Sequence, residues 1–494
     1  MDKRMVPRNR YLEKLIAFRD TDVIKVVTGM RRCGKSTLLD MMRKHLEDNG
    51  VPSECLLTFK MESFELEGVR DWRELYRHVD GLMPAGKRCY LFFDELQEVA
   101  GWEKAINALR VDRDCDIYVT GSNAFLLSSE IATLISGRYV EIRMHPLAFS
   151  EYVNFLGPTD VTNRLVVFGR EDIVALDDLL DRYLTFGGLP FLAASKLPEQ
   201  EMKDYIWSTY QTIVGRDILA REARRGRRSV TSRGVLDRVT SYLADNISNP
   251  TSINKIVGTL AENGAKSSHG VVDTCVSALE ETYIFSHALR FDIKGRDILK
   301  TGGKFYIEDL GLRAFLDGYR GGDSGRVLEN AVYNRLVYDG YQVFTGHLRD
   351  AEIDFVVIGD GSDRKFIQVT ESIDEEATRK RELRPFELRS LEKITGGYEK
   401  IIVVRQGSHP TDIDGIKIEC FLVPGHTWGH MVYLIDDKYL FTGDTLWFGA
   451  DGGYSFISSL AEDNKLAVQS LAELERKLRA RGLHPYFITG HTGW

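Results

Sequence analysis

The sequence predicts an α/β protein whose first part is a mostly parallel sheet covered on both sides by helices. Three observations carry this expectation. Short apolar runs recur at 23–28 (VIKVVT), 55–59 (CLLTF), 89–93 (CYLFF), 117–120 (IYVT) and 139–142 (YVEI). Helical segments with charged faces separate them, and strands that alternate with helices build parallel sheets buried on both faces. The first run ends at Gly29, and a glycine-containing turn leads into a helical stretch from Ser36 to Asp48 that stops at Asn49-Gly50.

The later elements follow from the same patterning. Residues 146–220 read as mainly helical, interrupted at Gly187-Gly188-Leu189-Pro190. Residues 230–290 read as three or four short helices, with a strand pair at 283–289 and 303–307. Mixed α/β patterning returns over 325–405, with strands near 342–345, 353–358, 365–369 and 400–404. After Asp412-Ile413-Asp414-Gly415 the chain becomes rich in His, Gly, Thr and Trp. A length of 494 residues suits three or four domains, at roughly 100–200 residues each.

Composition narrows the class. The chain is 43% hydrophobic and 28% charged, as expected of globular domains rather than disorder. The opening MDKRMVPRNRYLEKL lacks the apolar core of a signal peptide. No apolar run approaches the roughly 18 residues that span a bilayer. The six cysteines form no Cys-x-x-Cys pair, which suits reduced thiols and a cytoplasmic location. A net charge of −8 provides no overall basic field, so any nucleic-acid surface must be local.

Gly29-Met30-Arg31-Arg32-Cys33-Gly34-Lys35-Ser36 matches G-x-x-x-x-G-K-[ST]. A loop of this kind turns backbone N–H groups around phosphates, and the following helix N-terminus favours negative charge. Gly29, Arg31, Arg32, Gly34, Lys35, Ser36 and Thr37 are the candidate nucleotide-binding residues. Lys35 would reach the β- and γ-phosphates, and Ser36 would ligate Mg²⁺. Leu91-Phe92-Phe93-Asp94-Glu95 is an apolar strand ending in two carboxylates. Asp94 would hold the ion through water, and Glu95 would orient the attacking water. Ile117-Tyr118-Val119-Thr120-Gly121-Ser122-Asn123 ends a strand in polar residues suited to sensing the γ-phosphate; Asn123 is favoured, with Ser122 beside it.

Together these residues resemble the AAA-type ATPases of bacteria and archaea, in particular a branch whose loop reads G-x-R-R-x-G-K-S. Leu134-Ile135-Ser136-Gly137-Arg138-Tyr139-Val140-Glu141 and Pro146-Leu147-Ala148-Phe149-Ser150-Glu151-Tyr152 extend the match over residues 8–156. The resemblance implies that Arg138 is either an arginine finger for a neighbouring subunit or a surface ion-pair residue. It also implies a winged-helix domain over the helical segment 234–290. Before that segment, Arg221–Arg233 carries six arginines against one glutamate, either to contact DNA phosphates or to remain solvated.

Two further resemblances concern the rest of the chain. Glu329, in Gly325-Arg326-Val327-Leu328-Glu329, and Asp354, in Glu352-Ile353-Asp354, are spaced as in the restriction-endonuclease-like fold. That family's Glu-x-Lys pair is replaced by Gln368 and Thr370, which implies a nuclease fold without nuclease activity. His426 and His430, then Asp444, then His491 resemble the second half of metallo-β-lactamase-fold hydrolases, where the residues matching His426, Asp444 and His491 are metal ligands. The first metal cluster of that family, His-x-His-x-Asp-His, is absent from the sequence, so zinc is not expected.

The expected organisation is an AAA-type core at 1–156, a helical lid region at 157–228 and a winged-helix-like domain at 229–318. A nuclease-like domain at 319–417 and a partial metallo-β-lactamase-like segment at 418–494 complete it. The expected cofactors are ATP and Mg²⁺. DNA, a protein partner and a second copy of the chain are candidate partners, and no membrane association is expected.

Overall fold

The structure is a computed structural model. It describes the chain apart from residues 1–5, 70, 125–136, 159, 163–164, 169–171, 222–231, 296, 319–322, 349–350, 360–363, 372–389, 392, 395–397, 406–410, 414–415, 424–430, 436, 444–446, 449–453, 456–463 and 490–494. The chain divides into two compact units. The first comprises Met1–Phe155, Thr185–His287 and Gly303–Arg320; the second comprises Leu156–Leu184, Ala288–Gly302 and Gly321–Trp494.

The first unit begins with helix α1 (Asn9–Ala17), then β1 (Ile24–Thr28), α2 (Lys35–Asp48), β2 (Leu56–Lys60), α3 (Trp72–Leu82), β3 (Cys89–Asp94), α4 (Trp102–Asp112), β4 (Cys115–Gly121) and β5 (Tyr139–Arg143). The strand order is β2-β3-β4-β1-β5, and all four pairings are parallel. All five residues of β1 are buried, as a central parallel strand requires. Leu91 and Phe93 pack with Leu75 and Val79 of α3 and with Ala105, Ile106 and Leu109 of α4. Phe92, with the opposite side-chain direction, stacks on Tyr118 at 4.9 Å.

A charge sits within this core. Lys25 of β1 is fully buried and pairs with Asp116 of β4. The second oxygen of Asp116 accepts the Tyr118 hydroxyl at 2.9 Å and the Asp20 N–H at 2.9 Å. Each charged group therefore has the partners that burial demands.

Residues 146–220 depart from the mainly helical expectation. Helices Phe149–Leu156, Leu176–Phe186, Pro190–Ala194 and Glu199–Thr212 are present. Among them lies a three-stranded antiparallel sheet in the second unit, formed by β6 (Asp160–Thr162), β7 (Leu165–Phe168) and β8 (Asp172–Ala175). Val161, Thr162, Val166, Val167, Ile173 and Val174 are β-branched. Such short runs cannot nucleate a helix but fit a hairpin ladder.

Back in the first unit, a π-helical turn, Ile213–Ala220, continues the helix Glu199–Thr212. Helices Arg233–Asp245, Ile253–Glu262 and His269–Glu281 follow. Ser232, Ser252 and Ser268 cap them by accepting the N–H groups of Val235, Lys255 and Val271. The hairpin β9 (Phe285–Asp292) and β10 (Asp297–Ile307), of which Ala288–Gly302 belongs to the second unit, is longer than the patterning suggests.

The second unit carries β11 (Gln342–Leu348), β12 (Ala351–Ile358), β13 (Arg364–Thr370) and β14 (Glu399–Val404), in the sheet order β10-β9-β11-β12-β13-β14. β11, β12 and β13 form an antiparallel meander, β14 joins β13 in parallel, and helix Ser324–Tyr338 precedes the meander. A further sheet runs from Thr411 to Thr489, and helix Asn464–Ala480 sets Leu474 and Leu478 against Val432, Leu434 and Leu440. Among the described residues, no helix is long and apolar enough to cross a membrane.

Candidate functional site

The C-terminal ends of β1, β3 and β4 meet at the glycine-containing loop, the position at which parallel sheets collect ligands. Gly29 has φ +141°, and a Cβ there would lie 2.0 Å from the Met144 carbonyl oxygen. Only glycine fits that approach. Gly34 has φ +108° and directly precedes α2. Lys35 is buried, and its Nζ donates to the Gly29 and Met30 carbonyls at 2.9 and 3.0 Å. Ser36 and Thr37 lie on the first turn of α2, Ser36 exposed to solvent.

The carboxylates sit across from this loop. Asp94 Oδ1 accepts the Ser36 hydroxyl at 2.9 Å and the Thr120 hydroxyl at 2.6 Å. Glu95 adopts a left-handed backbone at φ 56° and donates its N–H to Thr120 Oγ1 at 3.0 Å. Its carboxylate accepts from Ser122 and from Gln97. Burial pushes the Glu95 carboxyl up, but the Lys35 ammonium, the Ser122 and Gln97 hydrogen bonds and Arg31 together hold it below its ordinary value. The acid is therefore ionised beside a loop lysine. Asn123 is buried at the next position after Ser122.

The two loop arginines diverge. Arg32 lies over the Tyr205 ring at 4.4 Å and donates to Thr209 at 3.0 Å. Arg31 pairs with Asp217 at 3.0 Å and with Glu62 at 3.3 Å. Arg8 supports the loop from behind: it is bidentate to Glu151 at 2.9 and 2.6 Å and donates to the carbonyls of Cys33 and His145. Sequence reasoning does not single out Thr120, Glu62, Asp217, Gln97 or Arg8. Thr120 ends an apolar strand and is readable from that place; the others carry no local signal.

The remaining candidates lie elsewhere. Arg138 is exposed and donates to Asn107 of α4 at 3.1 Å. Asp354 and Gln368 oppose one another across β12 and β13: Asp354 Oδ2 accepts the Val369 N–H at 2.9 Å, and Gln368 Oε1 accepts the Asp354 N–H at 3.4 Å. Thr370 is buried and Glu329 is half-buried on the preceding helix. His426, His430, Asp444 and His491 lie outside the described residues. So does most of the arginine segment, although Arg221 pairs with Glu281 at 2.8 Å and Arg233 with Asp237 at 3.5 Å. Among the described residues, no group of three or more His, Cys, Asp or Glu is placed to hold a metal ion.

Sheet order, loop and paired carboxylates define a P-loop module, and the AAA domain family matches residues 21–153. A domain of unknown function matches residues 177–322. The chain belongs to the same family as an uncharacterized protein of Haemophilus influenzae, to which it is 36% identical over 420 residues, covering 85% of this chain and 98% of that one. A shorter match, 44% identical over 66 residues, covers 13% of this chain and 24% of a hydroxyacylglutathione hydrolase of Shewanella loihica. Among solved structures, a Walker-type ATPase of Pyrococcus abyssi aligns with 63% of this chain and 95% of its own at 15% identity, with a TM-score of 0.41.

Proposed function

We propose that the chain binds ATP at this loop and hydrolyses it with Mg²⁺. The observation that carries the reading is the Lys35–Ser36–Asp94–Thr120–Glu95 cluster, whose members come from the first turn of α2 and the ends of β3 and β4. The donor set around Ser36 and Asp94 is oxygen only, which fits a hard divalent cation. Ser36 and Asp94 would hold that ion, which supplies charge neutralisation to the phosphates. Lys35 contributes the loop cation, Glu95 orients the attacking water, and Asn123 reads the γ-phosphate from the end of β4. Lys35→Ala is expected to abolish most nucleotide affinity. Glu95→Gln keeps affinity and lowers turnover by about 100-fold or more, as loss of a positioned base does. Wild-type turnover in both variants rejects the site.

A second reading concerns DNA. Three capped helices followed by the hairpin β9–β10 are the element order of a winged helix. ATP-controlled DNA binding would centre on Arg221–Arg233. Replacing Arg224, Arg225, Arg227 and Arg228 by Ala should flatten the salt dependence of DNA affinity, its logarithmic slope falling by about one for each phosphate that is no longer neutralised. An unchanged slope assigns those arginines to a solvated segment.

The helix, meander and parallel fourth strand at 324–404 support a nuclease-like fold, while Gln368 in place of a carboxylate argues against magnesium-dependent cleavage. DNA cut in the presence of magnesium by wild type, and left intact by Asp354→Ala, would reverse that conclusion. The 66-residue hydrolase match supports reading 418–494 as part of a metallo-β-lactamase-like fold.

A further inference from the structure

Charged side chains converge on the phosphate loop from an element that carries no motif. The turn Ile213–Ala220 is π-helical, a geometry that is rare in helices and concentrated at functional places. It presents Arg216 and Asp217. Asp217 Oδ1 accepts from Arg31 Nη1 at 3.0 Å, whereas Oδ2 is buried without a hydrogen-bond partner. The other terminal nitrogen of Arg31, Nη2, donates to Glu62 Oε1 at 3.3 Å. Glu62 also pairs with Arg216 at 2.5 Å, and Arg216 reaches Glu98 at 3.4 Å. Both terminal nitrogens of Arg31 are thus held by carboxylates at the mouth of the loop.

The surroundings of Asp217 make this an uneasy arrangement. Arg31 and Lys35 face it from the loop, Glu95 from the end of β3, and Arg216 from its own turn; Glu62 and Glu98 stand behind the two arginines. Burial is the largest influence and pushes the Asp217 carboxyl up to about 6, with Arg31 opposing and Glu95 adding to the rise. A half-satisfied buried carboxylate costs stability. A clasp built only for stability would not contain one, and strained charges of this kind cluster where ligands bind.

A guanidinium pairs equally well in geometry with a carboxylate or a phosphate. We propose that Asp217 is a phosphate-competing residue of the nucleotide site, its carboxylate holding the Arg31 guanidinium that the nucleotide's terminal phosphate takes over on binding. This rests on the ATP reading above. Transfer of Arg31 leaves Asp217 buried, unpaired and close to added negative charge, so it takes up a proton. Binding is therefore coupled to proton uptake. The bound state holds the Asp217 proton more tightly than the free state, so affinity is highest below about pH 6 and falls as pH rises above it.

The test is calorimetric titration of ATP and ADP into the full chain between pH 5.5 and 8.5, for wild type, Lys35→Ala, Asp217→Asn and Asp217→Glu. Ionisation of the nucleotide's own phosphates is common to all the proteins and cancels in their ratio. Asp217→Asn is expected to bind about tenfold more tightly than wild type at pH 8, a factor worth about 1.4 kcal/mol, and equally at pH 5.5. Repeating the pH 7 titration in buffers of different ionisation enthalpy should show less proton uptake for Asp217→Asn than for wild type. Asp217→Glu retains the competing carboxylate and should restore the wild-type slope. A melting temperature at or above that of wild type shows that Asp217→Asn folds. An Asn variant that binds ATP equally or more weakly at pH 8 overturns the proposal while leaving the ATP site intact. A wild type that does not bind ATP, or whose binding survives Lys35→Ala, overturns both.

Discussion

At the scale of single residues, the loop is shaped by one contact that no other amino acid permits. Gly29 combines a left-handed φ of +141° with a would-be Cβ 2.0 Å from the Met144 carbonyl. Met144 N–H in turn donates to Thr28 O at 2.8 Å, so the obstructing backbone is fixed by the strand beside it. Gly29→Ala must therefore displace either the loop or the segment after β5. We expect a loss of about 2 kcal/mol or more in unfolding free energy, together with loss of ATP affinity. Urea denaturation of the variant beside wild type measures the first quantity, and an unaltered midpoint would mean that the loop relaxes freely. A Cβ on Gly34 would meet the flexible end of Met144 at 3.2 Å and Pro190 at an ordinary 3.8 Å, but its φ of +108° carries the same conformational requirement.

At the scale of elements, one buried acid joins the hairpin to the edge of the parallel sheet. Glu308 follows β10 and accepts from His145, and it pairs with Arg143 at the end of β5 at 3.2 Å. Ser286 of β9 lies 3.5 Å away. Burial pushes this carboxyl up, but Arg143 and His145 overcome it and hold it at about 2. A carboxyl held below its ordinary value stabilises the fold above that ordinary value, near 4.5, and the contribution is lost as pH falls from there through about 2. Glu308→Gln should therefore cost about 3 kcal/mol at pH 7 and flatten the acid limb of the stability curve. Thermal melts from pH 2 to 7 test this. A variant whose acid limb parallels that of wild type would show that the joint contributes nothing through charge.

At the scale of the whole molecule, every residue assigned to the nucleotide site falls in the first compact unit, whereas residues 418–494 fall in the second. Removing 418–494 should leave ATP turnover within about twofold of wild type, because none of the residues assigned to the nucleotide site is removed. The same segment should carry no stoichiometric zinc, since three candidate ligands cannot complete two metal positions and a catalytic zinc needs about three protein ligands of its own. Elemental analysis of the full chain decides the point: zinc at one per chain, lost on His426→Ala, would make the segment a working site. The sheet face opposite helix Asn464–Ala480 bears on solubility, because Tyr439, Phe441 and Tyr486 are 37%, 36% and 67% exposed.

The sequence by itself determined the features that are local along the chain. The loop is eight consecutive residues, its strand and helix flank it directly, and each buried strand announces itself as an apolar run. The meander strands are likewise marked by their own patterning, which places them near 342–345, 353–358 and 365–369, within the observed 342–348, 351–358 and 364–370. The small sheet β6–β8 is not, because runs of three or four residues carry no resolvable period. Folding alone decided which distant side chains meet at the loop. Glu62, Glu98, Arg216 and Asp217 lie in unremarkable stretches and join Arg31 in one charge network only when the π-helical turn comes to rest beside the loop. Periodicity records which face of an element is buried, whereas a charge network depends on distances between elements far apart in sequence, and those are set only when the core packs.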